Sequence, residues 1–359
     1  MSNQPKIILG IESSCDETAC SICQKDDNRI RLLSNIVASS QSIHIKYGGV
    51  VPEQAAREQV KSIIPVITEA LDQANLKPGE IDAIAVTQGP GLIGSLLVGV
   101  ETAKTLSTIW DKPLIPINHL IGHFYANWID KQSSDQPQFP FLGLLVSGGH
   151  SDLVLFEDHN HYDYLGGTRD DAAGECFDKC ARILNLPYPG GPQISKLAAS
   201  GDSTKFKLPR PMMHSYDLDF SFSGLKTAVL NLVDSTKISD KDLPNICAAI
   251  ETAIIDSLVN KVVIAIKKYN IEQLVVAGGV AANSKLRTSL EREIGQVNPA
   301  IKLFVPPPIL CTDNAAMIAA AGFFTEPVKN PLQVEANPSL SLSLSLSPTL
   351  NLWSVDTVT

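Results

Sequence analysis

Lys6-Ile7-Ile8-Leu9-Gly10-Ile11-Glu12-Ser13-Ser14-Cys15-Asp16-Glu17-Thr18 is an apolar run that breaks into a small, polar, acidic turn, and residues 19–23 resume as a returning strand. The same grammar comes back later in the chain. Residues 141–146 read as a strand, Ser147-Gly148-Gly149-His150-Ser151 as a turn and 152–156 as the strand that returns. Each half then closes with a strand that runs into a glycine turn and a helix. In the first this is Ile84-Ala85-Val86-Thr87-Gln88-Gly89-Pro90-Gly91-Leu92-Ile93-Gly94-Ser95, and in the second Leu274-Val275-Val276-Ala277-Gly278-Gly279-Val280-Ala281-Ala282-Asn283. Glycine turns at helix starts let backbone N–H groups approach an anion. Ile11 and Val86 stand 75 positions apart and Val146 and Val276 stand 130 apart, so the second half carries an insertion of 55 positions, placed at about 166–227. Between these landmarks Val60, Ile63, Ile64, Ile67 and Leu71, and again Ile246, Ile250, Ile254, Leu258 and Val262, repeat at helical spacing. A duplicated α/β unit follows, with a cleft between halves whose opposed glycine loops suit a nucleotide. The expected domains are 1–135, joined by a returning helix near 312–325, and 136–311, with a low-complexity, mobile tail over 326–359.

The chain has 359 residues, 44% of them hydrophobic and 19% charged, which is enough for two cores without disulfide staples. No stretch approaches the ~18 apolar residues of a spanning helix, and the N-terminus shows no cleavable pattern, so no membrane is expected and the cytoplasm is the expected compartment. The seven cysteines are odd in number and scattered, which reads as reduced thiols. Cys20 and Cys23 form a C-x-x-C inside a strand, where positions three apart face opposite ways, against a zinc or redox pair. A net charge of −9 opposes bulk attraction to nucleic acid, so such a partner would need a local basic surface. Lys205-Phe206-Lys207-Leu208-Pro209-Arg210-Pro211-Met212-Met213-His214 is one candidate, and Lys261 with Lys267 and Lys268 another; plain solvated surface is the alternative for both.

His119 and His123 stand four apart in Asn118-His119-Leu120-Ile121-Gly122-His123, which puts both rings on one helical face. Residues 113–117 read as a strand and Asn118 as the helix N-cap. The positive end of the helix dipole disfavours imidazolium, so the placement favours metal binding over protonation. A metalloprotease of the H-E-x-x-H type needs Glu at position 120, where this chain has Leu120. A third ligand must come from elsewhere.

Taken with Val146-Ser147-Gly148-Gly149-His150 and Asp170-Asp171-Ala172-Ala173-Gly174-Glu175-Cys176-Phe177-Asp178-Lys179, these runs resemble the tRNA N6-adenosine threonylcarbamoyltransferase family. The resemblance runs in order from about Ile7 to Phe324. It implies the two-domain fold of the actin, sugar-kinase and Hsp70 ATPase superfamily. It also implies transfer of threonylcarbamoyl from threonylcarbamoyl-AMP to the N6 amine of the adenosine beside the anticodon, with AMP leaving. The partners it implies are tRNA, a second, inactive homologous subunit and a small P-loop ATPase. Carried over by position, the metal ligands are His119, His123 and Asp313, holding Fe(II) by family association or Zn(II) by chemistry. Substrate contacts fall on Val146, Ser147, Gly148, Gly149, His150, Asp178, Gly191 and Asn283. Asp16 and Glu17 match acids required in the family, either for proton transfer or to order the opening hairpin. One departure is Ser195, where many members have Asp. The rival readings are another carbamoyltransferase of the superfamily, whose extra domains with paired C-x-x-C modules are not found here, and a nucleotide-binding scaffold without activity.

Overall fold

The structure is a computed structural model that describes residues 6–26, 29–40, 51–235 and 239–344. Strand β1 (Ile7–Glu12) pairs antiparallel with β2 (Glu17–Asp26), and β2 pairs antiparallel with β3 (Arg29–Ser39). On its other side β1 runs parallel to β4 (Ala83–Gly89), and β4 runs parallel to β5 (Leu114–Asn118). The order of this sheet is β3-β2-β1-β4-β5. The second sheet repeats it strand for strand. β6 (Phe141–Val146) pairs antiparallel with β7 (Ser151–Phe156), which pairs antiparallel with β8 (Tyr162–Gly167), while β9 (Gln273–Ala277) and β10 (Lys302–Phe304) add in parallel. Strands β3, β8 and β10 were not legible beforehand; they are the outermost strands of their sheets, where burial is partial and the apolar pattern weak.

Helices α1 (Pro52–Ala74) and α2 (Ile93–Trp110) serve the first sheet. Helix α3 (His119–Tyr125) follows β5 directly, with the Asn118 side chain accepting from the Leu120 N–H at 2.9 Å, the expected cap. In the second lobe the crossover from β8 to β9 holds four helices: α4 (Ala173–Ile183), α5 (Gly190–Ala198), α6 (Ser223–Ser235) and α7 (Leu243–Tyr269). Among the described residues the first lobe has α1 and one short 3-10 turn (Pro78–Glu80) in the same crossover, so the extra length is helical. The predicted stripe of α7 is fully buried from Ile246 to Val262. That of α1 is not: Ile63, Ile67 and Leu71 are core, but Val60 and Ile64 are more than half exposed.

After α8 (Ser284–Val297) and the short α9 (Pro308–Cys311), α10 (Ala315–Gly322) crosses back and packs beneath β1, β2 and β4. Eight successive residues of α10 are buried, because it is covered by the first sheet and by α3. Residues 326–344, expected as part of a mobile tail, instead lie along the first lobe: Val328 N–H bonds Leu114 C=O at 3.0 Å and Val334 is 4% exposed. The remainder of the Leu-Ser run, from 345 on, lies outside the described residues. Cys20 and Cys23 are buried in different core clusters, on opposite faces of β2 as the strand period requires, and the cysteines are free thiols. Lys261 corrects the second basic candidate: it is 1% exposed and cannot form a surface with Lys267 and Lys268. No described helix is long and apolar enough to cross a membrane.

Candidate metal centre and cleft

A cleft of about 530 Å³ opens where the turns of the two β-hairpins meet. From the first lobe come Ser14, Cys15, Asp16 and Glu17 and the turn at Pro90-Gly91-Leu92. The second lobe gives Ser147, Gly148, Gly149 and His150, with Glu175, Asp178 and Tyr188 from the inserted helices and their loops. Gly278 must be glycine, since its φ is +89° and a Cβ would lie 2.4 Å from Val146 C=O, and this contact seats the turn that brings Gly279 into the cleft.

The three expected ligands converge: His119 and Asp313 line the cleft floor, and His123 is buried just behind them. His119 Nε2 lies 3.6 Å and His123 Nε2 3.3 Å from Asp313 Oδ1, and one ligand atom from each residue falls within 4.8 Å of the others. Donors bound to one cation at about 2.1 Å stand roughly 3 to 3.5 Å apart, which the two His–Asp spacings approach. His123 supplies a stricter test. It is 1% exposed and neither ring nitrogen makes a hydrogen bond, an arrangement that is costly unless something is ligated. Two imidazoles and a carboxylate suit Fe(II) or Zn(II) and leave positions open for substrate.

Glu12 is the residue the sequence did not reveal. It is fully buried at the end of β1, and its Oε2 meets His119 Nδ1 at 3.0 Å, so Nε2 is the nitrogen left to face Asp313. Ser14 N–H donates to Oε1 at 2.6 Å and the Thr87 hydroxyl donates to Oε2. Burial pushes the Glu12 carboxyl up, but the charge and hydrogen bond of His119 outweigh it and hold it low. Asp313 is likewise held well below the carboxylate range, burial being overcome by His119 and His123. At His119 burial works against the imidazolium, yet Glu12 and then Asp313 raise its pKa. At His119 two carboxylates outweigh the partial charge of a helix end, and the same negative charges that favour the imidazolium proton favour a bound cation. At His123 the pKa is lowered by burial first, not by the helix end.

The other expected site residues divide. Ser147, Gly148, Gly149 and His150 face the cleft, and a Cβ on either glycine would meet nothing within 4 Å. His150 is neutral, its pKa lowered to about 4 by burial and then by His119 and His123. Asp178 lines the cleft and its Oδ1 accepts from Gly190 N–H at 2.7 Å. Burial raises its pKa. Among the described residues the cleft wall does not include Val146, Gly191 or Asn283. Val146 is buried at the end of β6, and Gly191 sits in the first turn of α5. The Asn283 amide is spent internally: it donates to Ser195 Oγ at 2.9 Å and to Glu251 Oε1 at 2.8 Å, and accepts from Leu286 N–H. Glu17 is raised well above the carboxylate range by burial and then by the neighbouring Asp16. Burial and Asp16 also push up the Cys15 thiol, which is therefore no nucleophile.

Fold and site together define a two-lobed α/β protein built on a duplicated five-stranded sheet, with a candidate metal-ligand triad beneath the interlobe cleft. Residues 31–320 match the family model described as tRNA N6-adenosine threonylcarbamoyltransferase. A protein of that name from Bacillus cereus is 48% identical over 343 residues, covering 94% of this chain and 96% of the relative, and one from Listeria welshimeri is 49% identical over 340 residues, with 94% and 96% covered. The chain belongs to the tRNA N6-adenosine threonylcarbamoyltransferase family. Among solved structures it is similar to HypF of T. kodakarensis, with TM-score 0.59 and 13% identity over 89% of this chain and 48% of that one, a likeness of fold alone.

Proposed function

We propose that the protein transfers the threonylcarbamoyl group of threonylcarbamoyl-AMP to the N6 amine of adenosine 37, next to the anticodon, in tRNAs reading codons that begin with A. The observation that carries this reading is the convergence of His119 and His123 with Asp313, nearly two hundred positions away, beneath a cleft walled by glycine turns. A divalent cation held by these three residues, iron favoured and zinc possible, would supply Lewis-acid polarisation of the threonylcarbamoyl carbonyl. The protein's own residues do the rest. The Ser147-Gly148-Gly149 turn offers open backbone to the AMP phosphate, and Asp178 lies within the same wall to orient the nucleoside. The N6–carbon bond forms as the carbon–oxygen bond to the phosphate breaks, AMP leaves, and the N6 proton passes to a carboxylate. The acidic pair Asp16 and Glu17, both lining the cleft, is placed to accept it.

Partners fit the same reading. Ala56 on α1 packs against Gly94 on α2, and beside this contact Val60, Ile64, Ile93 and Leu97 stay exposed as an apolar strip suited to the inactive homologous subunit. A P-loop ATPase completes the set, and the free cysteines accord with the cytoplasm. The test is reconstitution from tRNA, threonine, bicarbonate, ATP and the partner proteins, following modified adenosine. His119→Ala is expected to lose bound metal and transfer together; near-normal turnover by that variant would reject the proposal.

A further inference from the structure

Tyr216 is the most exposed large hydrophobic side chain among the described residues, at 104%, yet it does not stand on a loose loop. The segment beneath it is fastened to a buried cation. Lys261, 1% exposed on α7, donates to Ser215 C=O at 3.2 Å, Ser215 Oγ at 2.8 Å and Asp217 C=O at 2.7 Å, so its three protons hold the residues on either side of Tyr216. Arg169 ties the same stretch from the other side through Asp217 and Asp219, each at 2.8 Å. An ammonium taken out of water is expensive unless fully bonded, and here the bonding fixes a loop whose aromatic ring touches solvent only.

The charges around the ring are sorted. Asp217 and Asp219 are neutralised by Lys261 and Arg169, and Asp256 by Arg210 at 2.6 Å. Lys207, exposed before the loop, and Lys226, on the helix whose Gly224 lies against Pro211, have no acidic partner among the described residues. Asp170 is spent on Ser221, Phe222 and Ser223, so what the segment offers is one aromatic ring on an anchored loop, with Lys207 before it and Lys226 after it in the chain. It is not an apolar patch of the several hundred Å² that a protein partner would cover. Rings on which a base can stack, beside cations for the backbone, are the makeup of sites for unpaired nucleic acid.

The loop also stands close to the cleft. Arg169 begins the run 169–174, and Gly174 N–H bonds Ser147 C=O at 3.1 Å on the cleft wall. Five residues span at most about 18 Å, so Arg169, whose guanidinium holds the Tyr216 loop, stands within that distance of Gly174 on the cleft wall. We propose that Tyr216 is a substrate-positioning residue that stacks on an unpaired base of the tRNA while Lys207 and Lys226 meet flanking phosphates. This rests on the tRNA reading given above.

The experiment uses the full chain with its reconstituted partners, measuring the tRNA KM and kcat and the affinity for a fluorescent anticodon stem–loop RNA. Tyr216→Ala is expected to raise KM and Kd by about five- to a hundredfold, the span of base–aromatic stacking, with kcat at saturating tRNA and the melting temperature unchanged. Tyr216→Phe restores both constants, because the ring and not the hydroxyl stacks. Lys207→Gln with Lys226→Gln lowers affinity uniformly and flattens its salt dependence. If Tyr216→Ala leaves KM and Kd unchanged while the unmodified chain binds and modifies tRNA, the inference is overturned. It is equally overturned if that variant loses a protein partner and keeps RNA affinity. A chain that neither binds nor modifies tRNA defeats the functional reading itself.

Discussion

Glu12 closes a line of contacts that runs from the end of β1 through His119 to Asp313, and the direction of His119 depends on it. Carboxylates behind metal-bound histidines fix the ring and raise its basicity, and their loss typically costs 10- to 100-fold in affinity, so Glu12→Gln should bind metal about that much more weakly in a chelator competition. Unchanged metal retention would show that His119 needs no support. The acidic pair at the cleft mouth makes a second residue-scale test. If one acid of the pair takes the N6 proton, replacing it by its amide should lower the single-turnover rate by about 10²- to 10⁴-fold, and comparing Asp16→Asn with Glu17→Gln shows which one it is; two variants that both turn over normally would remove the pair from proton transfer. The histidine pair was legible because four positions on a helix are local. Glu12 was not, because its partner lies 107 positions away and a lone acid after an apolar strand reads as the start of a turn.

At the scale of elements, the antiparallel pair β7 and β8 carries a pH dependence of its own. Asp152 on β7 is 7% exposed, and burial raises its pKa to about 6 although the Tyr164 hydroxyl donates to it at 3.0 Å. The unfolded chain ionises this acid near its ordinary value while the folded chain resists. Folded protein therefore binds more protons in between, and stability falls as pH rises from about 4 through about 6, then levels. Asp152→Asn keeps an acceptor for Tyr164 and removes this step, so it should be more stable than the parent at pH 7.5 by about 2 to 3 kcal/mol, with the gap closing toward pH 4. Urea titrations of both proteins across that range measure it, and a gap that does not vary with pH would refute the assignment. The hairpins themselves were plain from their alternation of apolar run and polar turn. The face of α1 was misread, because counting apolar positions does not separate a side packed on the sheet, centred on Ile63, Val66 and Ile67, from one left to solvent at Val60 and Ile64.

Over the whole molecule, the chain returns twice to the first lobe after finishing the second, once as α10 and once as residues 326–344. The duplicated architecture and cleft could be foreseen from repeated local patterns. The last segment could not, because most of what holds it is backbone that composition does not reveal. Asn337 N–H bonds Gln88 C=O at 2.8 Å, Gln88 Nε2 donates to Glu335 C=O at 3.0 Å, and Gly91 N–H reaches Pro338 C=O at 3.4 Å. Asn337 C=O comes so close to Gly89 that a Cβ there would lie 1.8 Å away. These contacts grip the turn that supplies Pro90, Gly91 and Leu92 to the cleft, so the segment braces the site from behind. Val334 and Leu342 are each under 5% exposed, and burying two such side chains contributes about 3 to 6 kcal/mol. Ending the chain after Thr325 should then lower the melting temperature by roughly 10 °C and weaken nucleotide binding beyond what partial unfolding explains. Calorimetry and AMP titration at a temperature well below both transitions separate the two effects. A truncated chain that melts with the parent and binds AMP equally well would show that the strap braces nothing.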